Sequence, residues 1–188
     1  MIRSIFMKKE WDTLEVLKHA RHDWLNRLQL IQGNLSLNKV DRVKEIIGEI
    51  IVEARQEAQL TNLNLPQFAS ELLTCNWDQH YFRLDYEVNK SSTIQHLDDK
   101  VLANWTNELF EILDASVEKF QENHLSVMIQ ADEEETRFFF DFSGILINTS
   151  NIIQFLEKPL NSTMTVRATA VSDEEISFEV FTIAAERV

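Results

Sequence analysis

The chain has 188 residues, 44% of them hydrophobic, and a formal net charge of −13, enough for one medium domain or two small ones. The charge is uneven. Met1 to Asn64 carries ten Lys+Arg against nine Asp+Glu, a net of +1, and Leu65 to Val188 carries eight against twenty-two, a net of −14. A duplex-binding protein needs an extended basic face, so nucleic acid is disfavoured as a partner. The acidic half repels polyphosphates unless a metal or a specific cradle intervenes. Cys75 is the single cysteine, which excludes an intrachain disulfide and a thiolate zinc site. No stretch approaches the ~20 apolar residues of a membrane span, and the apolar part of MIRSIFMKKEW is short for a signal peptide. The expectation is a soluble cytoplasmic protein with no membrane partner.

In chain order, the first helix is expected from about Met7–Trp11 to Ser36 or Leu37, with no proline to interrupt it. Its apolar stripe follows Leu14, Leu17, Trp24, Leu28, Ile31 and Leu35 in steps of three and four, with Arg21 at the one missing position. The second helix, about Lys39 to Leu60, is expected to be capped near Asp41 and carries a broad stripe from Val40 to Ala58. That stripe is wider than one partner helix covers, and pairing of two hairpins into a four-helix bundle is the cheapest remedy. TNLNLP at Thr61 to Pro66 breaks the pattern, dividing the chain into a helical hairpin at 1–62 and a second domain at 66–188.

In the second part, Gln67 to Cys75 reads as a short helix, HYFRLDYEV at His80 to Val88 as a strand, and Leu97 to Phe120 as a helix. His124 to Ala131 and Thr136 to Phe142 form a hairpin around Asp132 to Glu135. Ser150 to Leu156 is a short helix, and Thr163 to Ala170 and Ile176 to Ile183 are strands around a Ser172-Asp173-Glu174 turn. The fold class is α+β, with about five strands after the hairpin.

Five histidines are candidates for chemistry: His19, His22, His80, His96 and His124. His19 and His22 have i, i+3 spacing, but no further ligand cluster is visible, so a metal site is disfavoured. His80, His96 and His124 read as edge or surface residues. His22 stands apart. On a helix it shares a face with Lys18, Leu25, Asn26 and Gln29, one step off the apolar seam. An unperturbed imidazole, with pKa about 6.5, is mostly neutral at pH 7 and nucleophilic through a ring nitrogen. Lys18, Arg21 and Arg27 place positive charge nearby, and Asp23 and Asn26 are spaced to orient the ring. Nothing local encloses it, which suits reaction with another protein's active site better than binding a small molecule.

Arg21-His22-Asp23-Trp24-Leu25-Asn26-Arg27 resembles the histidine box of the R-H-D-x-x-N group of bacterial two-component phosphotransfer proteins. The longer stretch RHDWLNRLQLIQGNLSLNKVDRV is similar to the sporulation initiation phosphotransferase family of spore-forming bacilli. The resemblance implies a homodimer whose hairpins form a four-helix bundle. It implies that His22 takes a phosphoryl group from an aspartyl phosphate on one response regulator and passes it to an aspartate of a second, a transcription factor. From their places around His22 on the helix, Arg21, Asp23 and Asn26 would support it, and the face of Lys18, Leu25, Asn26 and Gln29 would dock the receiver domains. The chain would need no cofactor of its own, with Mg2+ expected from the response regulator.

The resemblance also implies that the second domain is a degenerate histidine-kinase-ATPase-like α/β sandwich. LFEILDASV at Leu109 to Val117 resembles the kinase N-box helix, but Ala115 stands where active kinases carry the magnesium-holding Asn. Asp141-Phe142-Ser143-Gly144 keeps the Asp and one glycine of the next element. The chain has three glycines, of which Gly33 and Gly48 fall in the hairpin, too few for a phosphate-cradling lid. An ATP-independent phosphotransferase is the favoured reading, with an autophosphorylating sensor kinase and a non-enzymatic dimeric scaffold as the alternatives. Asp141 is then expected to be a buried or strand-edge acid.

Overall fold

The computed structural model describes residues 11–91, 94, 97–131, 135–161 and 163–182. It divides into two compact units, the first ending at Ile51 and the second starting at Val52.

In the first unit, α1 spans Thr13–Ser36. Its start is set by Asp12, which is extended and accepts a hydrogen bond from Glu15 N at 2.8 Å, so the helix opens there rather than nearer Trp11. Asn38 turns the chain in the left-handed region at φ 56°, which Asn tolerates better than most residues. The second helix, α2, follows at Val40–Thr61. Asp41 does not cap it. It lies inside the first turn and receives Lys44 Nζ at 3.2 Å, while the Lys39 carbonyl accepts from Val43 N. Val43 and Ile46 are buried, but α1 buries no residue. Leu14, Leu17, Trp24, Leu28 and Leu35 are each more than half exposed.

The second unit begins on the last turns of α2. Gln56 Oε1 accepts from Val88 N at 2.7 Å, and Leu60, Leu63 and Leu65 are fully buried. Pro66 opens α3, Pro66–Cys75, whose cap residue Leu65 offers no acceptor. The acceptor comes from the first turn of α4, Asp99–Ser116: the Asp99 carboxylate takes Gln67 N at 2.8 Å and Phe68 N at 2.9 Å.

The strands are β1 Arg83–Ser91, β2 His124–Ala131, β3 Thr136–Ser143, β4 Met164–Val171 and β5 Glu175–Thr182, with α5 at Thr149–Leu156 between β3 and β4. The sheet order is β1-β2-β3-β5-β4. β1 and β2 are parallel, which requires the crossover that α4 supplies, and the other pairs are antiparallel. Alternation sets the core. Leu125, Val127, Ile129, Phe138, Phe140 and Phe142 are buried on one face with Phe68, Leu72, Leu102, Leu109, Leu113 and Ile152 from the helices. Trp105 stacks on Phe155 at 5.2 Å and meets the edge of Phe140 at 5.6 Å. On the opposite face Glu179 is nonetheless buried, held by Arg167 Nε at 2.6 Å and Arg137 Nη1 at 3.3 Å.

Two further boundaries and the placement of Asp141 differ from the sequence reading. β1 starts at Arg83 rather than His80, because Asp114 holds both the His80 ring and Tyr81 N. α4 ends at Ser116 rather than Phe120, because Val117 turns extended and bridges to Leu146. Asp141 is neither buried nor on an edge strand; it is exposed on the central strand β3, where Ser177 Oγ donates to it at 2.6 Å. Asp132 to Glu134 of the expected turn, and Ile183, lie outside the described residues.

Candidate phosphotransfer site

Because α1 buries none of its residues, its polar face stands open to water along Lys18, His22, Asn26 and Gln29. The His22 side chain is 72% exposed. Both ring contacts are made at Nδ1, with Asn26 Nδ2 at 3.2 Å and Asp23 Oδ1 at 3.5 Å. These contacts hold the imidazole by one nitrogen, Nδ1.

The tautomer follows from which group faces Nδ1. An Asn26 N–H donating to Nδ1 leaves the proton on Nε2. With the amide turned so that its oxygen faces the ring, or with Asp23 as acceptor, Nδ1 carries the proton and the Nε2 lone pair is available. The amide and the carboxylate at Nδ1 therefore select the tautomer of the ring.

Around the ring, Lys18 and Arg21 are exposed, and the Arg27 guanidinium lies 5.9 Å from the centre of the Trp24 ring. Leu25 and Leu28, each just over half exposed, add apolar surface beside it. Among the described residues none encloses the His22 ring, whose side chain is mostly exposed.

The other histidines do different work. His19 meets Trp11 edge-on at 4.9 Å. His80 is not a surface residue. Its Nδ1 lies 2.7 Å from Asp114 Oδ2, the pair is largely buried, and the ring stacks on Phe82 at 5.0 Å. His124 Nε2 lies 2.7 Å from Asp85 Oδ2. His96 lies outside the described residues. Among the described residues no three His, Cys, Asp or Glu side chains group to hold a metal. Burial, reinforced by Asp78, Asp114 and Glu71, pushes the Cys75 thiol far up from its usual range.

The kinase-like positions do not fit a nucleotide. Ala115 offers no metal ligand, and Asp141 points to the sheet face opposite the helices, where Ser177 binds it. Gly144 has a local reason for being glycine: a Cβ there would collide with Asn123 Oδ1 and lie 2.9 Å from the Phe142 ring. Its lack of a side chain serves packing, not approach to a phosphate.

Asn123, which sequence reasoning passed over, ties three segments together. Its Nδ2 donates to the Tyr81 and Glu118 carbonyls, both at 2.9 Å, and its Oδ1 accepts from Ile145 N at 3.0 Å. An asparagine ahead of a strand carries no periodic signal that would have singled it out.

Residues 64–183 match the family of sporulation initiation phospho-transferase B, C-terminal, and residues 5–63 match the sensor kinase SpoOB-type alpha-helical domain. The chain is 41% identical over 141 residues to sporulation initiation phosphotransferase B of Bacillus subtilis (strain 168), covering 74% of this chain and 73% of that protein. Among solved structures, Acinetobacter baumannii histidine kinase AdeS is 12% identical with a TM-score of 0.47, covering 87% of this chain and 98% of its own. A bacterial phosphotransferase, also 12% identical, has a TM-score of 0.38 over 92% of this chain and 98% of its own. With both of its parts matched by the family and a relative at 41% identity, the chain belongs to the sporulation initiation phosphotransferase B family.

Proposed function

We propose that this protein is an ATP-independent phosphotransferase of a sporulation phosphorelay in which His22 carries the phosphoryl group. The observation that carries the reading is the exposed His22 ring, held at Nδ1 by Asn26 and Asp23, in a chain of a phosphotransferase family. A response regulator brings an aspartyl phosphate in line with the Nε2 lone pair. The N–P bond forms as the acyl–phosphate O–P bond breaks, and the regulator's carboxylate departs with the electron pair. The reverse geometry then loads the aspartate of a second regulator, a transcription factor.

Such a transfer needs positioning and charge neutralisation more than covalent chemistry. Asp23 or the Asn26 oxygen stabilises the proton on Nδ1 as the ring gains positive character, and Arg21 and Lys18 add positive potential. The Mg2+ that neutralises the phosphoryl oxygens belongs to the receiver domain, since the chain offers no cage for it. Lys18, Leu25 and Gln29 form the docking face, and the division at 1–62 and 66–188 separates phosphotransfer from the kinase-like domain.

The exposed apolar residues of α1 and α2 support a homodimer. Leu14, Leu17, Trp24, Leu28, Leu35 and Ile47 would otherwise leave a large hydrophobic surface in water. Pairing two hairpins into a four-helix bundle covers it and leaves the His22 face open. The poor fit of Ala115, Asp141 and Gly144 to a nucleotide supports loading of His22 from a phosphorylated partner rather than from ATP.

Leu25→Asp tests the docking face. It places a charge on an exposed helix position, so transfer from a phosphorylated receiver slows while the helical content is retained. An unchanged transfer rate would refute the docking assignment. His22→Gln abolishes acceptance altogether.

A further inference from the structure

The second unit exposes apolar side chains where its loops meet. Phe120 is 94% exposed and sits in the left-handed region at φ 63°, Ile147 is 66% exposed and Ile145 41%. A phenylalanine held outward on a left-handed backbone is unfavourable both in solvation and in conformation, a combination that clusters at functional surfaces.

Backbone hydrogen bonds join these residues into one patch. Glu118 N donates to Ile145 O at 2.8 Å and Ile147 N to Ser116 O at 2.8 Å, so the segment after α4 and the segment after β3 lie side by side. Leu146 N donates to Asp173 O at 2.8 Å and Gly144 N to Glu174 O at 2.9 Å, which brings the acidic β4–β5 turn against the same strip. Glu118, Glu122, Asp173 and Glu174 are all exposed around it. Two basic groups lie nearby, Lys119 with its Nζ 4.4 Å from the Tyr81 ring centre and Arg83 at 4.0 Å from Asp85, and the four carboxylates outnumber them. Beside Phe120 opens a cavity of about 1000 Å³ lined in part by Tyr81, Glu122, Asn123 and His124.

An apolar centre ringed by carboxylates, within a sequence half of net charge −14, calls for a cationic protein surface. A second copy of this patch would set acid against acid. In the relay proposed above, one partner must carry a strongly basic face, because a transcription factor neutralises DNA phosphates with Lys and Arg. We infer that the patch around Phe120, Ile145 and Ile147 docks the basic nucleic-acid-binding surface of the acceptor transcription factor. The inference rests on that relay. It makes the second unit a device that raises the capture rate of one regulator over another.

The test starts from the full-length protein carrying phosphoryl on His22 and measures kcat/KM for transfer to the intact acceptor and to its isolated receiver domain. The intact acceptor is expected to be favoured by about tenfold at low salt, an advantage that salt erodes. Phe120→Ser with Ile147→Ser should remove it, Glu118→Gln with Glu122→Gln should reduce it, and duplex DNA carrying the factor's binding site should compete it away. Transfer to the receiver domain alone should not change in any of these. The surface Glu→Gln pair keeps the test valid if the apolar double variant unfolds. Equal transfer to both acceptors, or an advantage untouched by the variants, would overturn the inference. A parallel loss toward the isolated receiver would also overturn it, by assigning the patch to that domain. No transfer to either acceptor would overturn the relay instead.

Discussion

Replacing Asn123 with alanine should destabilise the second unit without disturbing His22. The side chain is 4% exposed and makes three hydrogen bonds, two donated to the Tyr81 and Glu118 carbonyls and one accepted from Ile145 N. Each such bond is worth about 0.5–1.5 kcal/mol net, and a buried partner left unpaired costs more. Three lost bonds therefore sum to about 3 kcal/mol. Asn123 lines the open cavity beside Phe120, so water can reach part of the gap, which lowers the cost to about 2–3 kcal/mol. For a chain of this size that is a fall in Tm of about 4–12 °C. Urea denaturation followed by near-ultraviolet circular dichroism measures it, with phosphoryl acceptance at His22 as the control. A loss below about 1 kcal/mol would refute the view that Asn123 holds these three segments together.

Further outcomes follow from single groups. Burial first, and then Glu57 and Glu53, push the Tyr86 phenol up from about 10 to about 12. A pKa raised on folding means its contribution is complete below about pH 10 and is lost as the pH rises through about 12. Absorbance at 295 nm should show an ionisation near pH 12 that Tyr86→Phe removes, and its absence would refute the burial argument. The buried Cys75 thiol should resist thiol reagents in the native protein at mildly alkaline pH and react only as fast as the unit unfolds. Rapid native-state labelling would contradict its burial. Asp99→Ala should cost about 1–3 kcal/mol in urea denaturation, because two backbone N–H groups at the start of α3 lose a charged acceptor. Asp99→Asn should recover part of it.

Much of the fold was legible because it is written in local periodicity. The three-and-four spacing of α1, the breadth of the α2 stripe, and the alternation of HLSVMIQA and TRFFFDF translate directly into helices and buried strand faces. What escaped was non-local. Nothing around Phe120 announces that Val117 will leave the helix to pair with Leu146, and the apolar run of Leu97 to Phe120 invites its extension. His80 looks like an edge residue until Asp114, 34 positions on, closes on its ring. Asp41 has the chemistry of a cap, but the left-handed turn at Asn38 starts the helix earlier. At the candidate site, the face shared by Lys18, His22, Asn26 and Gln29 follows from helical geometry alone. That Asn26 and Asp23 both meet Nδ1 depends on rotamers, which spacing permits but does not dictate.

The central claim is that His22 is loaded by a phosphorylated partner and not by ATP. The most direct measurement mixes the purified protein with a receiver domain carrying labelled aspartyl phosphate, in the absence of ATP, and maps acid-labile label by mass spectrometry. The account predicts label on His22, chased off by a second receiver and absent from His22→Gln. Label arising from ATP alone would contradict it and make the protein a kinase. No label from either source would leave His22 a solvated helix residue on a scaffold.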